Sequence, residues 1–426
     1  MEAADKNVLV IAYYFPPMGL SGVQRTLKFV KYLPEYGWNP VVLTSTPRAF
    51  YAYDDALLEE IEAMNVEVYR TEAGSSGSEA KKLPKLTKFP SYTVQKMGRA
   101  VLQTIYQPDS KIRWKKPALE LGRKILSEKK IDVIFATAPP FTDFLIAKQL
   151  SDEFNIPFVV DYRDVWIDNP FHFYATPFHK MYSVNLETEI LTYAKRGIVT
   201  NRHAKELLLK RYALLKHDDV TIIPHGYDED DFAPYRNVRP DRDFFTITHS
   251  GLFQDDRSPK YFLKALSQFL ADNPSAAGKI KAKFLGLMRP GHEKYIKKYK
   301  LTGIAECTGY LSHGDSIKEL MASDALWLML NDTVRSPGKL YEYFGARKPI
   351  LACLPDGAMK KLALDTKATI ATYPKDVASI KSAIGRFYEM WQKNILPTPD
   401  REYTNSFDRK LLTSQLAREL SNAMDI

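Results

Sequence analysis

The sequence predicts an α/β protein made of two doubly wound parallel sheets with helices on both faces. Three observations lead there. Apolar runs of strand length alternate with helical patterns along the chain, the alternation is interrupted once by a polar stretch, and 426 residues exceed what one core holds. The first-half strands are expected in NVLVIAYYF, PVVLTST, VEVYRTE, DVIFATA, FVVDYR, GIVTN and VTIIP, with helical patterns such as VQRTLKFVKYLPEYG and PALELGRKILSEKK between most of them. Alternation of this kind implies right-handed crossovers and parallel pairing. Residues 228–243 are polar and hold two prolines, so they read as an interdomain linker. The rhythm then restarts. FTITHSG, KAKFLGL, IAECTGY, ALWLML, KPILACLP and the weaker KATIAT are strands, while YFLKALSQFL, DSIKELMAS, KLYEYFGA and VASIKSAIGRFYEMW are helices. The expected division is an N-terminal domain over 1–227, the linker, a C-terminal domain over 244–406 and an amphipathic helix within 407–426. Ligands in such sheets bind where strand C-termini point, so the two domains are expected to face a cleft.

Composition narrows the class. Hydrophobic content of 45% and aromatic content of 12% are globular values. Cys307 and Cys353 lie in apolar surroundings with no ligand residue near either, as buried thiols of a reducing compartment do. The first apolar run ends at Pro16 and Pro17, too short to span a bilayer or to serve as a signal peptide, and a cytoplasmic location is expected. Charge is uneven. Between Lys81 and Lys130 fourteen Lys or Arg face three acids, a surplus of +11 against +9 for the whole chain. Aromatic and aliphatic residues are threaded through 81–116 and around Trp114. Such a segment suits an anionic surface, lipid or nucleic acid, or is a solvated helical face. No recognisable nucleic-acid module accompanies it, so no nucleic-acid partner is expected.

Candidate chemistry begins with SPGKLYEYFGARKPIL, Ser336–Leu351. Lys339 falls at a helix start, the unfavourable end for a cation. Either it is solvated, or an anion lies between it and the backbone N–H groups there, with phosphate the obvious candidate. Ser336, Gly338 and Leu340 belong to the same turn. Glu342 projects from the same side as Lys339, and its carboxylate suits the adjacent hydroxyls of a ribose. Near the start, FPPMGLSGVQR follows a strand and opens a helix, with Gly19 and Gly22 allowing close backbone approach. It is not a dinucleotide fingerprint, and the acid expected about twenty positions later is missing. FVVDYRDVWIDNP leaves a strand and offers Asp161, Arg163, Asp164 and Trp166 to a crevice, to meet an acceptor or to brace the loop. ATAPPFTDF adds Thr142. The histidines show no metal spacing; His225 and His249 border strand ends, and no metal or cofactor is expected.

YYFPPMGLSGVQRTLKFVKYLPEYGWNPVVLT, IPHGYD and GKLYEYFGARKPIL, in that order, resemble glycosyltransferase family 4 of the GT-B fold, over nearly the whole chain. The resemblance implies two Rossmann-like domains and a retaining transfer of a sugar from a nucleoside diphosphate-sugar. In similar enzymes the first glycine loop lies beside the donor diphosphate and the acceptor. Arg257, before the helix after Gly251, falls where family members carry a diphosphate-binding lysine, with Lys260 in reserve. A second family cation corresponds here to Leu252. Glu342 matches the second of two family glutamates; the first would fall at Val334. The string around Asp161–Trp166 is also similar, and Asp164 is the candidate to take the acceptor's proton. The acceptor implied is a carbohydrate or a polyprenyl-linked sugar at the inner face of the plasma membrane, in cell-surface polysaccharide synthesis. A GT-B epimerase, or a non-catalytic nucleotide-sugar or nucleic-acid binder, is the alternative.

Overall fold

The structure, a computed structural model, describes residues 6–19, 21–46, 54–71, 102–169, 172–253 and 257–425. They form two compact units. The first runs through His225 and includes the C-terminal helix; the second spans Gly226–Asp408.

The first unit holds strands β1 (Lys6–Ile11), β2 (Trp38–Thr44), β3 (Glu67–Arg70), β4 (Val133–Ala138), β5 (Phe158–Tyr162), β6 (Arg196–Val199) and β7 (Val220–Ile222). They pair in parallel in the order β3-β2-β1-β4-β5-β6-β7, so chain direction across the sheet reverses between β1 and β4. Helices α1 (Ser21–Tyr32), α2 (Asp55–Ala63), α3 (Lys115–Glu128), α4 (Thr142–Phe154), α5 (Pro177–Tyr193) and α6 (Arg202–Arg211) intervene. On one face Val8, Val10, Val133 and Phe135 pack with Val23 and Leu27 of α1 and with Leu412, Leu416 and Leu420. Those last three, four apart, are one face of the C-terminal helix Arg409–Met424. The expected terminal helix is therefore a core element of this unit.

The second unit opens with the helical turn α7 (Glu229–Phe232) and continues through β8 (Phe245–Ser250), α8 (Lys260–Asp272), β9 (Ile280–Leu285), α9 (Pro290–Lys298), β10 (Ala305–Gly309) and α10 (His313–Met321). It is completed by β11 (Ala325–Met329), α11 (Gly338–Ala346), β12 (Ile350–Cys353), α12 (Ala358–Asp365), β13 (Thr369–Thr372), α13 (Val377–Gln392) and α14 (Arg401–Asn405). The order β10-β9-β8-β11-β12-β13 reverses between β8 and β11. Strand β11 shows why its sequence is apolar throughout. Trp327 and Met329 enter one core with α8 and α13, while Leu326 and Leu328 enter the other with α10 and α11.

Three expectations change. Residues 228–243 begin as folded structure, since Asp228 caps α7 by accepting from Asp230 N (3.1 Å) and Phe232 is buried in the second core. Arg236 binds Glu229 at 2.6 Å and the Gly345 carbonyl at 2.8 Å. The polarity that suggested a linker belongs to a capped first turn and an ion pair. Within the basic window, residues 81–101 lie outside the described residues. Trp114 is buried, donating its indole N–H to Thr71 Oγ1 (3.1 Å) and meeting Tyr13 edge-on, so it is no surface aromatic. Cys353 is buried as expected, but Cys307 is only partly so; both are free thiols.

Gly345 of α11 fixes how α7 packs. A Cβ there would lie 2.5 Å from Phe232 Cε2 and 2.7 Å from Tyr227 Cδ2. Gly345→Ala is expected to destabilise by about 1–3 kcal/mol through overpacking, read as a lower urea midpoint at constant slope.

Candidate functional site

In the second unit the neighbouring strands β8 and β11 pair at Ile247↔Ala325 and Thr248↔Leu326. The remaining ends are bridged by side chains. His249 Nδ1–H donates to the Trp327 carbonyl (2.9 Å), and the Tyr343 hydroxyl from α11 donates to the same carbonyl (3.1 Å) while accepting from Ser250 N (2.9 Å). This point of strand-order reversal is where open α/β sheets take ligands.

Around it the expected donor residues gather. Gly251 has φ +126°, a conformation that L side chains rarely adopt, and its Cα hydrogen side faces the stem of Lys339, whose Cγ would lie 3.7 Å from an added Cβ. Helix α11 starts at Gly338 after an extended Pro337, with no side-chain cap and no acid in its first turn. Lys339 Nζ donates to Glu342 Oε2 at 2.8 Å. The two are therefore an ion pair, and its ammonium stands at an uncapped helix start. Burial first, then the charges of Arg257 and Lys339, bring His249 down to about 4 against the Trp327 hydrogen bond, so the imidazole is neutral with both cations in its vicinity. Its ring stacks on Phe253 at 4.5 Å.

Other members of the predicted set are less available. The Leu340 side chain is buried and its N–H is spent on the Pro337 carbonyl (3.1 Å). Ser336 Oγ, also buried, meets the Tyr341 hydroxyl at 3.2 Å. Lys260 opens α8 and lies over the Tyr261 ring. Val334 donates its N–H to Asp332, which also holds Arg335 in an ion pair at 2.7 Å.

Sequence reasoning missed His313 and Asp231. His313 opens α10, is half-buried, and shares a 3.0 Å hydrogen bond with the Asp231 carboxylate. Burial pulls its pKa down, but the hydrogen bond and charge of Asp231, with Glu342 adding, raise it overall against Lys339. A single histidine at a helix start carried no local signal, and Asp231 lay in the supposed linker.

The first unit treats its own point of reversal differently. Pairing of β1 with β4 ends at Ile11↔Ala136, and Asp143 of α4 accepts from Tyr13 N at 2.9 Å, as Tyr343 does for Ser250. Asp143 is fully buried, and burial raises its pKa well above the usual carboxylate range. The start of α4 already holds an anionic group: Asp109 accepts from Thr142 N (3.0 Å) and Thr142 Oγ1 (2.9 Å). Thr142, expected to meet an acceptor, is instead a buried partner of Asp109.

The Asp161–Trp166 string is mostly a brace. Asp161 is wholly buried, with Arg25 binding both its oxygens (2.8 and 3.0 Å) and Thr137 donating to it at 2.8 Å. Arg163 donates to the carbonyls of Gly22 and Pro139, tying the start of α1 to the loop after β4. Trp166 is fully buried, stacked on Phe141 at 4.5 Å. These three are corrections: strand-end side chains turned inward because a buried cation, two carbonyls and an aromatic ring satisfy them there. Asp164 alone of the four is half-exposed. Gly19 is buried and Gly22 exposed. His225 is half-buried and held neutral, by desolvation first and then by Arg25, Arg409 and Arg163.

A buried acid sits beneath this loop. Glu187 of α5 accepts from the Tyr212 hydroxyl (2.5 Å), and burial raises its pKa to about 7. The folded state thus keeps a proton the unfolded chain releases, so stability contributed by this group is full below about 4.5, falls as pH rises, and levels off above about 7. The loss amounts to about 3 kcal/mol at 1.36 kcal/mol per unit. Glu187→Gln is expected to flatten that part of the profile, measured as urea stability of variant and parent between pH 5 and pH 8.

The two units are thus doubly wound Rossmann-like domains, the pair that defines the GT-B class, and the second offers a cationic site at an open helix start. Residues 22–231 match the family described as Glycosyltransferase Family 4. That match covers just under half of the chain, whose fold is that of the GT-B glycosyltransferases. No curated protein matches it in sequence. Among solved structures it is similar to Anabaena Alr3699/HepE in complex with UDP and glucose, at 14% identity and TM-score 0.66, covering 98% of this chain and 99% of that one. It is similar also to sucrose-phosphate synthase of Thermosynechococcus elongatus (13%, 0.66, 97% and 98%) and to the lipopolysaccharide outer core galactosyltransferase WaaB (13%, 0.56, 99% of both). Among the described residues no helix is long and apolar enough to cross a membrane.

Proposed function

We propose that the protein is a retaining glycosyltransferase that moves a sugar from a nucleoside diphosphate-sugar to a carbohydrate or polyprenyl-linked acceptor during cell-surface polysaccharide synthesis. The observation that carries this reading is the contrast between two helix starts. In the first unit Asp109 already fills the anion position at α4; in the second, α11 begins uncapped beside Lys339. A diphosphate complements the second and would be repelled by the first.

Arg257 and Lys339 neutralise the diphosphate, the backbone at Gly251, Ser336 and Gly338 lets it approach, and Glu342 takes the ribose hydroxyls. As the bond from the anomeric carbon to the phosphate oxygen breaks, negative charge grows on the leaving group and these cations stabilise it. The acceptor hydroxyl forms the new bond and gives its proton to Asp164 or to a departing phosphate oxygen. Gly19 and Gly22 shape the loop that leads into α1 of the first unit. Support comes also from UDP and UDP-glucose in the structures of HepE, one of the similar proteins.

Thermal-shift screening against UDP-, GDP- and ADP-sugars tests it. One nucleotide is expected to raise the melting temperature by several degrees at about 100 times its Kd, where linkage supplies about 2.7 kcal/mol. Failure of all three to stabilise the protein removes the donor reading.

A further inference from the structure

Among the described residues, helix α5 carries an apolar face that no other element covers. Its inner side is Ser183, Glu187, Ile190 and Leu191, all buried. On the outer side Phe178 is 75% exposed, Met181 56% and Tyr182 51%, at the i, i+3, i+4 spacing that makes one stripe. Beside it run residues 102–107, held by Ser183 Oγ donating to Gln107 Oε1 (3.1 Å) and by Phe173 N donating to Gln103 Oε1 (2.9 Å). They add Ile105 at 65% exposure and Leu102 at 45%, next to Phe173 at 46%. Large apolar side chains scattered singly over a surface need no explanation, but six on adjoining segments mark an interaction surface.

The charges around this patch are positive. Lys180 lies on α5 itself, Arg113 lies over the Tyr106 ring, and Lys115 and Lys116 follow in sequence, while Asp109 is half-buried and tied to Thr142 of α4. The sequence leading into residue 102 carries six Lys or Arg and no acid over 81–101. Packing this face against a second copy of itself would bring like charges together, which disfavours a homodimer. An apolar stripe bordered by cations fits the boundary between acyl chains and headgroups of an anionic bilayer, where rings and methyls enter and the amines meet phosphates.

We propose that the α5 face, with residues 102–105 and Phe173, is a lipid-contacting surface that seats the first unit on an anionic membrane. It deepens the lipid-linked acceptor reading, on which its biological sense rests; the physical contact is separately measurable because no nucleotide is needed to observe it.

The full chain is sedimented with vesicles of phosphatidylcholine alone and with about 30 mol % phosphatidylglycerol. Anionic vesicles are expected to bind it at least about tenfold better, less so as salt rises from about 50 to about 300 mM. The triple variant F178S/M181S/Y182S replaces exposed groups, so its melting temperature is expected to stay at the parent value while vesicle partition falls about tenfold or more. The pair K116E/K180E is expected to weaken anionic binding and reduce its salt dependence. Absence of vesicle binding by the parent, or equal binding by the triple variant, overturns the proposal. So does a concentration-dependent dimer, seen by light scattering, that the triple variant abolishes, since the face would then belong to a second copy. A parent protein that is stabilised by nucleotide yet does not bind vesicles would sink this surface and leave the donor site standing.

Discussion

Lys339→Ala is expected to lower kcat/KM for sugar transfer by about 100-fold or more while leaving the melting temperature nearly unchanged. Two magnitudes set this asymmetry. The Lys339–Glu342 pair is partly exposed, with the lysine side chain at 26%, and such pairs contribute about 0–1 kcal/mol to folding. A cation aimed at a leaving diphosphate acts where charge develops in the transition state, and removing one such donor typically loses about 2.7–4 kcal/mol of barrier lowering. Lys339→Arg keeps the charge and should recover part of the rate, whereas Glu342→Gln should act mainly on donor KM because the ribose is held equally before and during bond breaking. Steady-state kinetics with the donor identified by thermal shift reads all three. An alanine variant with parental kcat/KM would show that the open start of α11 holds no diphosphate.

The fold was legible because the central strands of a parallel sheet are buried on both faces, so β8, β11 and β12 announce themselves as continuous apolar runs. What misled was polarity read without its partners. Glu229, Asp230 and Asp231 looked like a solvated linker, yet they are the first turn of a capped helix whose Phe232 fills the second core. The Lys339–Glu342 pair was legible for a local reason: a lysine at a helix start is electrostatically misplaced unless something anionic joins it, and Glu342 lies one turn on. His313 was invisible because its partner Asp231 is 82 positions away. The same blindness affected the first unit. Asp161, Arg163 and Trp166 were correctly placed at a strand end, but what satisfies Asp161 is Arg25, 136 positions earlier, and no local pattern links the two.

That Arg25–Asp161 pair carries the largest stability effect expected in the molecule. Both side chains are about 1% exposed, the carboxylate is bound at both oxygens, and Thr137 takes a further lone pair. The guanidinium also donates to the carbonyls of Ile223 (2.9 Å) and Pro224 (2.7 Å), so one side chain of α1 joins the end of β5 to the chain following β7. Removing one partner strands a charge out of water, which typically destabilises by about 3–5 kcal/mol, whereas removing both strands none. Asp161→Asn and Arg25→Met are therefore each expected to destabilise by that amount, and the double variant by at least about 2 kcal/mol less than their sum. The double variant still loses ground to the parent, because the Ile223 and Pro224 carbonyls lose their guanidinium donor. Urea denaturation of the four proteins completes the cycle. Additive losses would mean the two side chains stabilise the unit independently, and the pair would then not be the brace between α1 and β5.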